Sequence, residues 1–130
     1  MAETCAFTHP RTTVTSGNGG NDTLYGGWDA DQLYGDANDD TLYGGIGNDD
    51  LHGGTESDTL EGGANDDTLS GDEGNDTLSG DATLNGGTGD DLFIVPTGTN
   101  TIDGGTGTDS IIVDGSVDTD VITVAQVAGV

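Results

Sequence analysis

Large apolar side chains recur about every ninth residue along most of the chain, and polar residues or glycine fill the positions between them. In the first eight copies of this pattern both neighbours of the apolar residue are polar, so the alternation covers only three residues. Such an alternation predicts a short β-strand whose middle side chain points inward. The recurring apolar residues are Leu24, Leu33, Leu42, Leu51, Leu60, Leu69, Leu78, Leu84, Phe93, Ile102 and Ile111.

The residues before each of these triplets are rich in Gly, Asn and Asp, which favour turns over helices and strands. Turn and triplet together form a nonapeptide, Gly-Gly-x-Gly-x-Asp-x-Leu-x, with its clearest copy at residues 44–52. Gly at positions one and two, and Gly, Asn or Asp at position four, tolerate the left-handed or extended backbone of such a turn. Full copies start at Gly17, Gly26, Gly35, Gly44, Gly53, Gly62, Gly71, Gly86 and Gly104.

A strand and a turn in every nine residues predict a solenoid in which two repeats, or eighteen residues, complete one coil. Alternate repeats then stack on opposite sides, so the apolar residues lie between two thin parallel sheets with strands about 4.8 Å apart. The predicted fold class is therefore all-β, a parallel β-roll. A shortened copy at 80–85 keeps its strand and loses part of its turn, and a degenerate copy at 95–103 lacks the Gly–Asp turn.

Composition narrows the possible functions. The 130 residues include 25 acidic residues, 25 glycines and a single basic residue, Arg11, for a formal charge of −24. A chain this acidic repels nucleic acids and anionic membranes, and it needs cations to become compact. Its length limits it to one domain, and no apolar run approaches the roughly 18 residues of a membrane-spanning helix.

Two segments lie outside the repeats, so we divide the chain into an N-terminal extension or capping strand (1–16), the repeat region (17–112) and a C-terminal segment (113–130). Thr12–Thr15 is β-prone and is expected to cover one open end of the roll. The lone Cys5 cannot close an internal disulfide, and residues 1–10 lack the apolar segment of a signal peptide. The acidic, Val-rich C-terminal segment fits one or two capping strands, which we favour, or an uncleaved export signal.

The tandem nonapeptide at 17–112 resembles the RTX, or haemolysin-type, calcium-binding repeat, in which Gly-Gly-x-Gly-x-Asp-x is followed by a large apolar residue. One copy would be a weak signal, whereas tandem copies over roughly three quarters of the chain are highly specific. The resemblance implies a right-handed parallel β-roll that folds when calcium enters its turns. It also implies a secreted bacterial protein whose partner in export is a type I secretion apparatus.

Calcium chemistry explains why these residue types recur. Ca²⁺ is bound by six to eight oxygens at about 2.3–2.6 Å, supplied by carboxylates and backbone carbonyls. Stacking places the sixth-position carboxylates in two rows, where an ion between successive coils would remove the repulsion between like charges. The first edge is predicted to carry Asp22, Asp40, Asp58, Asp76, Asp91 and Asp109, and the second edge Asp31, Asp49 and Asp67.

Backbone carbonyls that point alternately up and down would let each turn serve the ion above and the ion below. The carbonyls of positions two and four are expected to coordinate alongside each aspartate. These positions hold Asn18, Gly20, Gly27, Asp29, Asp36, Asn38, Gly45, Gly47, Gly54, Glu56, Gly63, Asn65, Asp72, Gly74, Gly87, Gly89, Gly105 and Gly107. Where another residue replaces glycine, the carbonyl remains but the backbone geometry stays open.

Five gaps between intact turns on the first edge and two on the second predict about seven calcium ions. We expect the metal-free chain to be disordered, so that binding and folding coincide. The expected affinity is that of extracellular modules, about 10⁻⁴–10⁻³ M.

Two other classes of function are less well supported. Outward threonines, and aromatic pairs such as Tyr25 over Tyr43 and Tyr34 over His52, suit an adhesin-like surface for carbohydrate or ice. The alternative is that Thr and Tyr simply form favourable strand ladders. Acidic polymers fit poorly because the repeats contain no Lys or Arg. We expect no enzymatic activity, because no catalytic motif is present and the carboxylates are already assigned to calcium.

Overall fold

The computed structural model describes residues 4–6, 11–80, 82–96, 99–114 and 121–125. These residues form strands and turns, and no helix is found among them. The strands are β1 (Thr4–Ala6), β2 (Val14–Ser16), β3 (Thr23–Trp28), β4 (Gln32–Ala37), β5 (Thr41–Ile46), β6 (Asp50–Thr55), β7 (Thr59–Ala64), β8 (Asp67–Glu73), β9 (Thr77–Ser79), β10 (Ala82–Thr88), β11 (Leu92–Pro96), β12 (Thr99–Asp103), β13 (Ser110–Asp114) and β14 (Val121–Ala125).

The odd-numbered strands form one sheet and the even-numbered strands form the other, and every pairing is parallel. We call these the odd sheet and the even sheet. Leu24 pairs with Leu42 in the odd sheet and Leu33 with Leu51 in the even sheet, a step of eighteen residues in both cases. The predicted all-β, two-sheet parallel solenoid is confirmed.

The shortened copy keeps the coil in register. Between β8 and β10, Thr68 pairs with Thr83 and Leu69 with Leu84, a step of fifteen residues instead of eighteen. The missing residues are therefore taken out of the corner that precedes β10, and Leu84 remains buried in the apolar ladder. The prediction that the coil continues past one defective corner is confirmed.

The strands are longer than the predicted three residues. A typical strand, β5 at Thr41–Ile46, has six residues and includes the first three residues of the following repeat. Gly45 in this added part pairs with Gly27 on one side and Gly63 on the other. Because main-chain groups make the ladder, glycines continue it although they have no side chain to indicate a strand. The turn proper is thus confined to positions four to six.

The core is a file of apolar side chains between the two sheets. Ten of the eleven predicted ladder residues are buried, but Ile111 is 37% exposed. It lies in β13, the last strand of the odd sheet in the described part of the chain, so no further strand covers its outer side. Val95, at the first position of the degenerate copy, is buried and belongs to the core, although it is not a ladder residue.

The ends of both sheets are formed by strands outside the regular repeats. The segment expected to form a strand at Thr12–Thr15 contains the start of β2, which pairs with β4. Cys5 in β1 is in register with Leu24, and β14 pairs with β12. Residues 7–10, 115–120 and 126–130 lie outside the described residues, so our interpretation of them is not tested. The division of the chain into three segments stays a prediction. The described part of the chain contains no helix that could cross a membrane.

Candidate metal centre

The backbone of each turn has left-handed residues at positions two and four. The non-glycine residues at these positions have φ values between 70° and 87°. They keep the glycine-like conformation, which settles the geometry that the sequence left open; they are Asn18, Asp29, Asp36, Asn38, Glu56, Asn65 and Asp72. Asn and Asp tolerate this conformation better than other non-glycine residues.

Glu56 is the exception among these residue types, and hydrogen bonds hold it in place. Its Oε2 accepts from the Asn38 N–H at 3.0 Å, one coil earlier, and from Thr55 Oγ1 at 2.6 Å. The hydrogen bond from Thr55, followed by that from Asn38, lowers the pKa of the Glu56 carboxyl. The side chain thus remains charged and ties two neighbouring corners together.

The first glycine of the repeat is required for space rather than for a left-handed backbone. A Cβ on Gly44 would lie 2.5 Å from Asp49 Oδ2 and 2.6 Å from the carbonyl oxygen of Gly62 in the next coil. At Gly26 the corresponding distances are 2.7 Å to Asp31 Oδ2 and 2.6 Å to the Gly44 oxygen. In the full copies position one carries none of the positive φ values, so of the two conformations expected there, left-handed or extended, the left-handed one is not used. Two oxygen acceptors converge where a side chain would otherwise stand.

The sixth-position aspartates form the two predicted rows. In each row the Oδ1 atom accepts a hydrogen bond from the main-chain N–H of the aspartate one coil earlier. Asp22 N–H donates to Asp40 at 2.7 Å on the first edge, and Asp31 N–H donates to Asp49 at 2.8 Å on the second. The remaining links, between 40 and 58, 58 and 76, 76 and 91, 91 and 109, and 49 and 67, repeat this contact.

The second carboxylate oxygen of these aspartates is buried and accepts no hydrogen bond from the part of the chain that is described. This holds for Oδ2 of Asp31, Asp40, Asp49, Asp58, Asp67, Asp76 and Asp91. These seven residues are only 1–3% exposed. A buried acceptor without a partner loses the hydration that it has in the unfolded chain, which costs roughly 1–3 kcal/mol or more for a charged group. A cation bound between successive coils would supply the partner that such an oxygen lacks.

The carbonyls of the turn point in alternating directions. A Cβ on Gly45 would contact the oxygen of Gly27, and one on Gly47 would contact the oxygen of Asp29, so carbonyls at positions two and four point to the next coil. In contrast, the third-position oxygen of Ala64 accepts from Gly47 N at 3.1 Å, which points it to the preceding coil. Each corner therefore presents oxygens to both neighbours. That these carbonyls coordinate calcium stays a prediction.

Burial makes the aspartate rows difficult to ionise. It is the largest cause that raises the pKa of Asp58 to about 7 and the pKa values of Asp67 and Asp76 to about 6. The hydrogen bond from the preceding coil lowers these pKa values, and neighbouring carboxylates raise them further. The pKa values of Asp40, Asp49 and Asp91 are raised for the same main reason. A divalent cation would favour the charged form and reverse these shifts.

The donor set is that of a hard cation. No group of three or more His, Cys, Asp or Glu side chains converges in the described part of the chain. A calcium site in these corners would therefore need backbone oxygens in addition to one or two carboxylates. Calcium accepts such an all-oxygen set, whereas structural zinc sites use nitrogen and sulfur ligands.

The family comparison agrees with this donor set. The RTX calcium-binding nonapeptide repeat matches in four copies, at residues 16–42, 43–78, 78–111 and 97–119. The chain belongs to this family. Its RTX repeats bind calcium and form a β-roll, as the resemblance implied. Comparison with curated proteins and with solved structures gives no match.

Two parts of the RTX corners were not found from the sequence. At the N-terminal end of the second row, Thr13 donates to Asp31 Oδ1 from its main-chain N–H at 2.6 Å and from Oγ1 at 2.9 Å. Position five forms a second ladder outside the first row. Asp39 Oδ1 accepts a hydrogen bond from Ser57 N–H at 3.1 Å. In the same way Asn75 Oδ1 accepts from Asp90 N–H at 2.9 Å, and Asp90 Oδ1 accepts from Thr108 N–H at 2.7 Å. The variable residues at this position concealed the ladder, because Asp and Asn both provide the accepting oxygen.

The space above the first glycine gives a test. We predict that Gly44→Ala destabilises the calcium-loaded roll by roughly 1–3 kcal/mol, because the added methyl group overlaps two oxygens of the corner. Gly19→Ala is the matched control, since a Cβ there meets nothing within 4 Å. Denaturant unfolding at saturating calcium measures both variants. Equal stability of the two would contradict the steric role of position one.

The raised pKa values give a pH dependence. The folded roll holds protons on these carboxylates more tightly than the unfolded chain, whose ordinary pKa is 3.8. The metal-free roll therefore gains stability that is complete below pH 3.8 and is lost as the pH rises through about 6 to 7.

Protons and calcium compete for the same oxygens, so the calcium midpoint of folding should rise as the pH falls below about 7. Circular dichroism over about pH 4 to 8 measures the stability of the metal-free roll in chelator and the calcium midpoint of folding in calcium titrations. A calcium midpoint that does not change with pH would show that these carboxylates are not the ligands.

Proposed function

We propose that this RTX roll is a calcium-responsive folding module, unfolded where calcium is scarce and folded where it is abundant. The observation that supports this most strongly concerns seven buried aspartates of the two rows whose Oδ2 atoms have no hydrogen-bond partner in the described residues, namely Asp31, Asp40, Asp49, Asp58, Asp67, Asp76 and Asp91. Without a cation, folding would bury these oxygens at a cost that the thin apolar core must offset. With a cation between successive coils, the same oxygens become ligands.

The overall charge supports the same conclusion. The chain carries a formal charge of −24. About seven calcium ions, the number predicted from the gaps between intact turns, would add about 14 positive charges and leave about −10. Compaction without the ions would keep all of this charge within a small volume, and self-repulsion destabilises compact states. Calcium thus acts as a structural component of the roll.

We further propose that the protein is secreted from a bacterium and that it passes through a type I secretion apparatus unfolded. Low calcium inside the cell would keep the chain extended, and higher calcium outside would let it fold. RTX proteins are typically exported bacterial proteins, which supports this assignment. The pairing of β14 with β12 supports the interpretation of the C-terminal segment as a capping strand.

A calcium titration followed by circular dichroism tests the folding proposal. We predict a coil spectrum in chelator and a cooperative gain of β-structure on addition of calcium, with little response to magnesium, which prefers a stricter octahedral site. Asp49→Asn should raise the calcium midpoint several-fold, because it removes a buried charge from the second row.

Asp66→Asn is the matched control for this titration, since Asp66 is an exposed residue one position before another sixth-position aspartate. It should leave the midpoint nearly unchanged. A full β spectrum in chelator would refute the proposal.

A second candidate is an adhesin-like surface on the outer face of the odd sheet. Tyr25, Trp28 and Ile46 are 38%, 47% and 52% exposed, and the Tyr25 and Tyr43 rings stack with centroids 4.9 Å apart. This exposed apolar patch makes the odd sheet the better candidate surface for a carbohydrate. The outer face of the even sheet is more acidic, because His52, which stacks on Tyr34, contacts Asp50 and Asp72 there. A glycan array read with the wild type and with Trp28→Ala tests it, and absence of calcium-dependent binding would exclude it.

A further inference from the structure

The two edges of the roll differ along its length. On the first edge, position six is aspartate in every coil from Asp22 to Asp109. On the second edge the carboxylates stop halfway. Strand pairing places the residues of its position-six column in the order Asp31, Asp49, Asp67, Ala82, Asn100 and Ile122.

The position-one column of the second edge changes one coil later, since Gly80 still occupies it in the coil of Ala82 and lies opposite Val95. Glycine occupies this column in the first coils, where Gly26 and Gly44 each leave room for a carboxylate oxygen. In the later coils the column contains Val95 and Val113, which are paired in the odd sheet. The switch from glycine to valine thus follows the switch from aspartate to neutral residues by one coil.

The corner at 95–100 shows what replaces the carboxylate. Val95 is fully buried and belongs to the apolar core, so its side chain occupies the kind of space that the Asp oxygen takes above the glycines. Asn100 is also buried, at 1% exposure, and its Nδ2 lies 3.5 Å from the Pro96 carbonyl oxygen. An amide both donates and accepts, whereas a carboxylate only accepts. The described residues of this corner therefore contain no buried carboxylate, and Val95 occupies the position at which glycine leaves room for one in the first coils.

The apolar core is also larger at β11, in the coil that contains the Val95–Asn100 corner. Each of the strands from β3 to β8 buries a single leucine, whereas β11 buries both Phe93 and Val95. More apolar surface per coil compensates for fewer ligands, because burial of apolar groups stabilises a fold without any ion.

We infer that the Val95–Asn100 corner closes without calcium, and that the roll's calcium requirement is graded along its axis. The N-terminal coils depend on two rows of ions, whereas the C-terminal coils depend on the first-edge row alone. As calcium is lowered, the coils of β3–β8 unfold first and β11–β13 keep their structure. Partial unfolding of this kind is available to a solenoid because each coil contacts only its neighbours. The inference rests on the proposed calcium-dependent folding.

Hydrogen exchange measured along the full-length chain during a calcium titration tests the inference. In the wild type, amides of β11–β13 should lose protection at a several-fold lower calcium concentration than amides of β3–β8. Loss of protection at one common concentration would overturn the graded requirement and leave the proposed function intact. Full protection of every strand in chelator would instead refute the proposed function.

The double variant Val95→Gly/Asn100→Asp puts glycine and aspartate back at positions one and six of this corner. It should narrow the difference, because the corner loses a buried valine and gains a carboxylate that needs a cation, so that β11–β13 lose protection at a higher calcium concentration than in the wild type. Thr99→Ala, at an exposed position of the same strand β12, is the control and should keep the wild-type profile. If the double variant retains the wild-type exchange profile, the inference fails. If the variant does not fold at saturating calcium, the inference is judged from the wild-type comparison of β11–β13 with β3–β8.

Discussion

The structure depends on a carboxylate that is stacked on the next carboxylate once per coil. Within the rows, as at Asp49 and Asp67, one oxygen of the buried aspartate accepts the main-chain N–H of the aspartate in the preceding coil, and the other has no hydrogen-bond partner in the described residues. Two such charges about 5 Å apart repel by roughly 3 kcal/mol at an effective dielectric constant of 20. The hydrogen bonds hold the rows in register, and a cation bound between the coils would satisfy the remaining oxygens and remove this repulsion. The proposed function therefore couples the stability of the fold to its affinity for calcium.

The other positions of the repeat can be understood from this constraint. The first glycine leaves the space into which the carboxylate turns, as Gly44 does for Asp49. Left-handed residues at positions two and four reverse the chain within three residues and alternate the carbonyl directions. The eighth residue fills the narrow interval between the sheets, where one leucine per strand suffices in the first coils. Each residue type that recurs in the repeat thus has its own physical cause, and all of these residues shape the same coil.

Much of this was predictable from the sequence, because the nine-residue period determines both the stacking and the direction of Leu51 and its equivalents. The two rows of aspartates follow from the same period. Strand length was not predictable, since Gly44 and Gly45 have no side chain to indicate a strand. The hydrogen bonds at position five were missed because Asp39, Asn75 and Asp90 differ in sequence while they supply the same accepting oxygen. The exposure of Ile111 depends on the position of its strand at the end of a sheet, which the local pattern does not encode.

The short corner before β10 has a consequence for how such a roll accommodates changes in length. There the coil closes in fifteen residues, and the leucine ladder on both sides keeps its register. Strand pairing is consequently insensitive to the length of this loop, whereas a shift of one residue within a strand would turn Leu84 outward. Because the register survives a corner that is three residues shorter, this corner is where a grafted segment is expected to disturb the neighbouring coils least.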